Sequence, residues 1–177
     1  MLASNPEPRI PNPESQGPDP TRAHDVSDRV RGLLLAVLAV GVIGMGTELL
    51  LIGHAESFQQ RIPLVLLALG AVTLGWHAMA PRAVTVRALQ VAMTAFVVSG
   101  LAGVWLHFQG NVEFELEMYP AMQGLELVRK TLTGATPVLA PGSMALLGLI
   151  GLTHSYRHPC LQGAAASSSS GSLKGDV

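Results

Sequence analysis

The chain has 177 residues, of which 49% are hydrophobic and 13% are charged, which is about half the charged fraction of an ordinary globular domain. Its formal net charge of −1 gives no electrostatic basis for binding nucleic acid. Its single cysteine, Cys160, excludes an intramolecular disulfide. The composition indicates a protein that resides in a lipid bilayer.

Residues 1–28 open the chain and are rich in proline and small polar residues. Such a segment has too little apolar surface to offset the entropy cost of ordering, so we expect it to be disordered. The Ser- and Gly-rich residues 159–177 have the same character, and we expect a second disordered tail there. The membrane domain is therefore predicted to comprise residues 29–158.

Four long apolar blocks lie between these tails, and Glu48 is the only Asp, Glu, Lys or Arg within them. As helices the blocks are roughly 27–33 Å long, which matches a hydrocarbon core of about 30 Å. Helices also satisfy their own backbone hydrogen bonds in lipid. The sequence therefore predicts an all-α fold, a polytopic membrane protein with a bundle of four transmembrane helices. The predicted spans are 32–53, 62–80, 88–108 and 136–154.

The third connection, residues 109–135, is much longer than a helical hairpin needs. Within the stretch HFQGNVEFELEMYP, apolar residues alternate with glutamates, a period of two that favours an extended segment with its carboxylates towards water. In the alternative, a helix, Glu113 and Glu117 would share a face. Met122, Leu125, Val128 and Leu132 then recur at helical spacing and predict a short amphipathic helix at the membrane interface. Together these segments are predicted to form a cap at one end of the bundle.

Basic residues are distributed unevenly between the two predicted sides of the membrane. Eight of the eleven lie with the termini and the second connection, and three lie on the other side. The positive-inside rule then places both termini in the cytoplasm and residues 109–135 outside. We therefore expect a multi-pass protein of the bacterial inner membrane.

Glu48 is the first candidate for a functional residue, because an ionisable group within a membrane segment is costly. One interpretation is a structural carboxyl group that is hydrogen-bonded to neighbouring helices. The other is a role in proton transfer, in ion binding or around a cofactor, and the sequence does not favour one of these roles.

Each predicted helix carries a histidine near its C-terminal end. His54 and His107 belong to the outer interface, whereas His77 and His154 belong to the inner one, with His158 just outside it. Such histidines can simply complement the helix dipole. Alternatively, two imidazoles from parallel helices can bind b-type haem or share a divalent metal ion. His54 and His107 are the predicted cofactor-binding pair.

The acidic stretch supplies the predicted metal ligands. Glu113 and Glu115 follow His107 in sequence, and Glu56 follows His54. Carboxylates combined with histidine suit zinc, iron or manganese. The alternatives are a solvated acidic loop and a group that collects protons.

The segments GNVEFELEMYP, GATPVLAPG and YRHP resemble a group of small, uncharacterised bacterial membrane proteins with four helices. The resemblance covers roughly residues 30–160. It implies the membrane architecture and no particular activity.

No phosphate-binding loop, dinucleotide fingerprint or metalloprotease motif occurs in the sequence. We therefore expect a non-enzymatic accessory or binding component, with the lipid bilayer, other membrane subunits or a second copy of the chain as partners. One alternative is a redox protein that binds haem or a metal through its interfacial histidines and the acidic loop. Another is a small proton-coupled transporter or a channel subunit that depends on Glu48.

Overall fold

A computed structural model describes residues 20–134 and 138–162 of the chain, and this part contains helices and no strand. The all-α class is therefore confirmed. The helices with defined bounds in these residues are α1 (Pro20–Leu51), α2 (Phe58–Met79), α3 (Ala83–Met118), α4 (Gly124–Leu132) and α5 (Gly142–Ser155), and residues 159–162 are also helical.

Three helices are long and apolar enough to cross a membrane, namely residues 25–51 of α1, all of α2 and all of α3. These three correspond to the first three predicted spans. The fourth span is not shown, because α5 has 14 residues and covers only about 21 Å of a core of about 30 Å. The predicted disorder of residues 1–19 and 163–177 lies outside the described residues, as do residues 136 and 137 of the predicted fourth span.

The chain forms two compact units, residues 1–33 and residues 34–177. The described part of the first unit is the N-terminal portion of α1, which begins at Pro20, well before the predicted span. The second unit contains the rest of α1 and the other four helices. The hydrophobic core and every site discussed below belong to this second unit.

Side-chain caps set the starts of α2 and α3. Ser57 accepts a hydrogen bond from the backbone N–H of Gln60 (3.3 Å), and Gln60 accepts one from the backbone N–H of Ser57 (3.0 Å), which is a capping box. At α3, the hydroxyl oxygen of Thr85 accepts a hydrogen bond from the backbone N–H of Arg82 (3.0 Å). These caps allow α2 to follow α1, and α3 to follow α2, after short turns.

Helix α3 is central to the second unit and packs against α2, α4 and α5. Its Leu89, Met93 and Phe96 are fully buried in the core. The contact with α5 depends on glycine, since a Cβ atom on Gly100 would lie 2.5 Å from the backbone nitrogen of Ala145, and one on Gly148 would lie 2.6 Å from the carbonyl oxygen of Met93. Small residues thus let the two backbones approach closely, as they do between membrane helices.

Large apolar side chains also cover the outer surface of the helices. Val40 and Val91 are each 72% exposed, and Val72 is 67% exposed. An apolar exterior of this kind suits contact with lipid tails rather than water.

The extended conformation predicted for the acidic stretch is wrong, because α3 continues as one helix to Met118. A lone strand would leave its backbone groups unpaired, whereas a helix pairs them within itself. The amphipathic helix predicted next is observed as α4, which packs against the end of α3. The amide nitrogen of Asn111 donates to the carbonyl oxygen of Thr131 (2.9 Å) at this contact. Helical geometry therefore turns Asn111 and Glu115 towards α4 and leaves Glu113 and Glu117 exposed.

Candidate metal centre

Helices α2 and α5 each end with a buried histidine in the last turn. His77 is 4% exposed and His154 is 3% exposed. Their Nε2 atoms lie 3.3 Å apart, and the two rings meet edge to face with their centroids 5.3 Å apart. The C-terminal ends of two different helices thus bring two imidazole nitrogens into contact.

A third imidazole joins them from the turn that follows α5. Arg157 has a positive φ of 46°, a left-handed conformation that is unfavourable for a residue with a long side chain. After this turn the ring of His158 lies 5.2 Å from that of His77 and 5.6 Å from that of His154, centroid to centroid. Each of the three rings offers a nitrogen, and these three atoms lie within 4.8 Å of one another.

Thr85 determines which nitrogen of His77 faces the cluster. Its hydroxyl hydrogen is donated to the carbonyl oxygen of Ala80 (3.1 Å) or of Arg82 (2.9 Å). Its oxygen accepts the N–H of Arg82 and lies 3.1 Å from Nδ1 of His77. A hydroxyl group has one hydrogen to donate, and when it goes to either carbonyl oxygen, Nδ1 of His77 is the donor in this contact. In that tautomer the Nε2 lone pair of His77 is directed towards His154.

His158 is oriented by the residues that follow it. The backbone N–H of Cys160 donates to Nδ1 of His158 (3.3 Å), and the Cys160 thiol donates to the carbonyl oxygen of Pro81 (3.5 Å). Pro81 lies in the α2–α3 turn between Ala80 and Arg82, the two residues that hold Thr85. The α2–α3 turn thus contacts both Thr85, which lies next to His77, and Cys160, which lies next to His158.

The distance between His77 and His154 fits a zinc ion. Zinc binds imidazole nitrogen at about 2.0–2.1 Å with tetrahedral geometry, which separates two ligand nitrogens by about 3.3–3.4 Å. The observed separation is 3.3 Å, and without a metal it corresponds to a hydrogen bond between the two nitrogens. A bis-histidine haem needs its two nitrogens on opposite sides of the iron, roughly 4 Å apart with the porphyrin between them. The rings of His77 and His154 are too close together for a porphyrin to lie between them.

The residues predicted to bind a cofactor or a metal lie elsewhere. His54 follows α1 and is half-buried, and His107 in α3 has a buried Nδ1 with no hydrogen-bond partner in the described part of the chain. Glu48, Glu56 and Glu113 are exposed, and Glu115 is 8% exposed. Among the described residues, the one group of three or more potential ligands that are close enough for a metal is the histidine cluster. The roles predicted for His54, His107 and the glutamates stay predictions.

The sequence contained a signal for the cluster. His154 and His158 are four residues apart at the end of an apolar block, although they do not share a helical face because α5 ends at Ser155. His77 was expected at the same interface as His154. The metal site predicted from sequence is instead the acidic stretch, because carboxylates close to a histidine are also good ligands.

No protein-family model, curated protein or solved structure matches the chain.

Proposed function

We propose that the protein is a multi-pass membrane protein that binds one zinc ion through His77, His154 and His158. The observation that carries this proposal is the convergence of three imidazole nitrogens within 4.8 Å. Two of these imidazoles are almost fully buried. In this proposal the protein acts as a binding or accessory component of the membrane rather than as an enzyme.

The ligand set favours zinc over other common ions. Three neutral imidazoles with no carboxylate suit zinc or copper, whereas magnesium and calcium require oxygen ligands. Three protein ligands also leave the fourth tetrahedral position of zinc open. The third nitrogen, at up to 4.8 Å, must move inward by about 1.4 Å to reach the tetrahedral spacing. His158 lies between the turn at residues 156–157 and a helical segment at residues 159–162, so a local change of the chain, with loss of the hydrogen bond from the backbone N–H of Cys160, can make this adjustment.

The orientation of His77 supports the same conclusion. Metal-binding histidines usually donate their second N–H to a neighbouring oxygen, which fixes the tautomer and the direction of the ring. Thr85 supplies such an oxygen at 3.1 Å. Because Thr85 is fully buried, water does not compete with this contact.

The position of the centre in the membrane follows from the spans. Trp76 and Trp105 are exposed near opposite ends of the apolar helices, and Trp105 lies about 33 Å along α3 from its first residue. Tryptophan is typical of the membrane–water interface, so this separation is consistent with one bilayer. The distribution of basic residues then favours a cytoplasmic position for the metal centre, with both termini in the cytoplasm of a bacterial cell.

A topology with four spans remains part of the proposal. Helix α5 packs against the spanning helix α3 through Gly100 and Gly148, which supports placing α5 within the bilayer. Its short length means that residues before Gly142 must complete the fourth crossing.

Metal analysis of the purified protein tests the zinc site. The protein is purified in detergent without a polyhistidine tag, dialysed against zinc and measured by elemental analysis. We expect about one zinc ion per chain, lost in His77→Gln and His154→Gln. His54→Gln serves as the matched control at the other predicted interface and keeps its zinc. A wild-type protein without stoichiometric zinc would exclude the proposal. Loss of the metal in His54→Gln alone would assign it to the other interface.

A further inference from the structure

We propose that a second copy of the chain docks on the end of α3 and on α4, which makes the protein a two-fold symmetric dimer. The proposed zinc site lies next to Thr85, at the opposite end of α3, so the dimer goes beyond the proposed function and does not depend on it. The docking surface has two parts. The α3 strip comprises Glu113, Phe114, Glu117 and Met118, and the α4 strip comprises Leu125, Arg129 and Leu132.

The end of α3 lies beyond the hydrocarbon core. The helix has 36 residues and is therefore about 54 Å long, whereas the core is about 30 Å thick. Arg87 and Glu113 are exposed and lie about 39 Å apart along the axis. Because charged side chains are costly in hydrocarbon, residues 113–118 project beyond the core. Helix α4 is held beside them by the contact between Asn111 and Thr131.

The α3 strip combines apolar and acidic side chains on one side of the helix. Phe114 and Met118 are exposed, Met118 by 59%, and their spacing of four residues makes them neighbours on the helix surface. Glu113 and Glu117 have the same spacing and are exposed beside them. Lipid does not suit this strip, because Phe114 and Met118 would bring two carboxylates towards the acyl chains. A protein surface that combines apolar and basic side chains suits it better.

The α4 strip carries the complementary charge. Leu125 is 83% exposed, and Arg129 is exposed four residues further on, so the two are neighbours on the helix surface. Within the described ranges of the chain, Arg129 forms no ion pair with Glu113 or Glu117. Matching charges thus lie on the same molecule and are not paired within it.

A second copy supplies both strips at once. In an isologous dimer the α3 strip of each chain contacts the α4 strip of the other, so the same contact forms twice. Each contact buries apolar side chains, which provides affinity. It also pairs Arg129 of one copy with Glu113 or Glu117 of the other, which fixes the orientation of the two chains.

Energy transfer in lipid vesicles tests for the dimer. Cys160 is the only cysteine in the chain and lies outside both strips, so it carries a donor dye on some chains and an acceptor dye on others. We expect energy transfer between reconstituted chains that decreases as lipid is added. Transfer no greater than that of randomly distributed chains would overturn the proposal.

Exchange of charges tests the surface. Arg129→Glu and Glu117→Arg should each weaken the dimer by about tenfold, because two attractive contacts become repulsive. The double variant restores opposite charges and should bind more tightly than either single variant. Arg87→Gln is the control, since it removes an exposed charge at the other end of α3 and should leave the dimer unchanged. A dimer that both single variants leave intact would place the interface elsewhere and overturn the proposal.

Cross-linking tests which strips meet. In a Cys160→Ser background, chains with Met118→Cys and chains with Leu125→Cys are mixed in vesicles and oxidised. We expect disulfides between the two kinds of chain to form faster than disulfides between identical chains. Absence of cross-links, together with quenching of a dye on Leu125→Cys by a lipid-borne quencher, would show that α4 lies in lipid and would overturn the proposal.

Discussion

The Nε2 atoms of His77 and His154 lie 3.3 Å apart, although 77 positions separate the two residues in the chain. Each residue occupies the last turn of an apolar helix, and both helices pack against α3. The packing of α2 and α5 on α3 therefore sets the distance between the two nitrogens.

Thr85→Val should weaken zinc binding without unfolding the protein. Valine has nearly the shape of threonine but cannot accept the Nδ1–H of His77, so the ring loses its fixed tautomer. Loss of such a contact typically lowers metal affinity by about 10–100-fold. Competition with a zinc indicator measures the change, and thermal unfolding checks the fold.

Thr94→Val is the control for this substitution. Thr94 lies in the same helix, and its exposed hydroxyl contacts only the carbonyl oxygen of Gln90, so zinc affinity should not change. Equal affinities in Thr85→Val and the wild type would refute the tautomer assigned to His77.

The helices were predictable from sequence because uninterrupted apolar blocks of this length have few alternatives in lipid. The positions of the histidines at the ends of α2 and α5 were also predictable, because they lie at the ends of apolar blocks. The position of His158 was not predictable, because it depends on the left-handed conformation of Arg157. An arginine in the sequence does not indicate such a conformation. Positive φ is typical of glycine or asparagine rather than arginine.

The length of α3 was the other feature that sequence reasoning missed. Strict alternation of glutamate with apolar residues has the period of a strand, yet these residues extend a helix whose first part is already formed. Extension of an existing helix avoids the cost of nucleation. Within this extension Asn111 is buried beneath α4, so one face of the helix contacts α4 and the other does not.

Gly148→Ala should destabilise the contact between α3 and α5. The new Cβ atom would lie 2.6 Å from the carbonyl oxygen of Met93 and 2.7 Å from a methyl group of Val97, so the helices must move apart. Overpacking of this kind costs about 1–3 kcal/mol, which a fall in the thermal midpoint in detergent would report.

Gly44→Ala provides the comparison, because nothing lies within 4 Å of a Cβ atom at that position. Alanine also favours a helix by up to about 1 kcal/mol over glycine, so this variant should be as stable as the wild type or more stable. A Gly148→Ala protein of unchanged stability would contradict the close approach of the two helices.

Asn111→Asp should release α4 from the end of α3. The substitution keeps the shape of the side chain but replaces the amide that donates to the carbonyl oxygen of Thr131 with a carboxylate, so two acceptors face each other in a buried contact. The cost is about 1–3 kcal/mol, and amide hydrogen exchange in α4 should rise by roughly tenfold or more. Gln109→Glu adds the same charge at an exposed position and should leave the exchange unchanged; equal rates in both variants would show that Asn111 does not hold α4.

The orientation proposed above, with both termini in the cytoplasm, predicts which segments face the cytoplasm. Alkaline phosphatase is active only after export, so a fusion after Gln123 should be active and one after Arg82 should be inactive. The same topology places Cys160 on the cytoplasmic side, where a membrane-permeant maleimide should label it in intact cells and an impermeant one should not. Activity after Arg82, with labelling of Cys160 from outside, would invert the topology and move the metal centre to the opposite side of the membrane. The geometry of the three histidines would be unaffected by that inversion, because it depends on contacts among helices and not on the direction in which they were inserted.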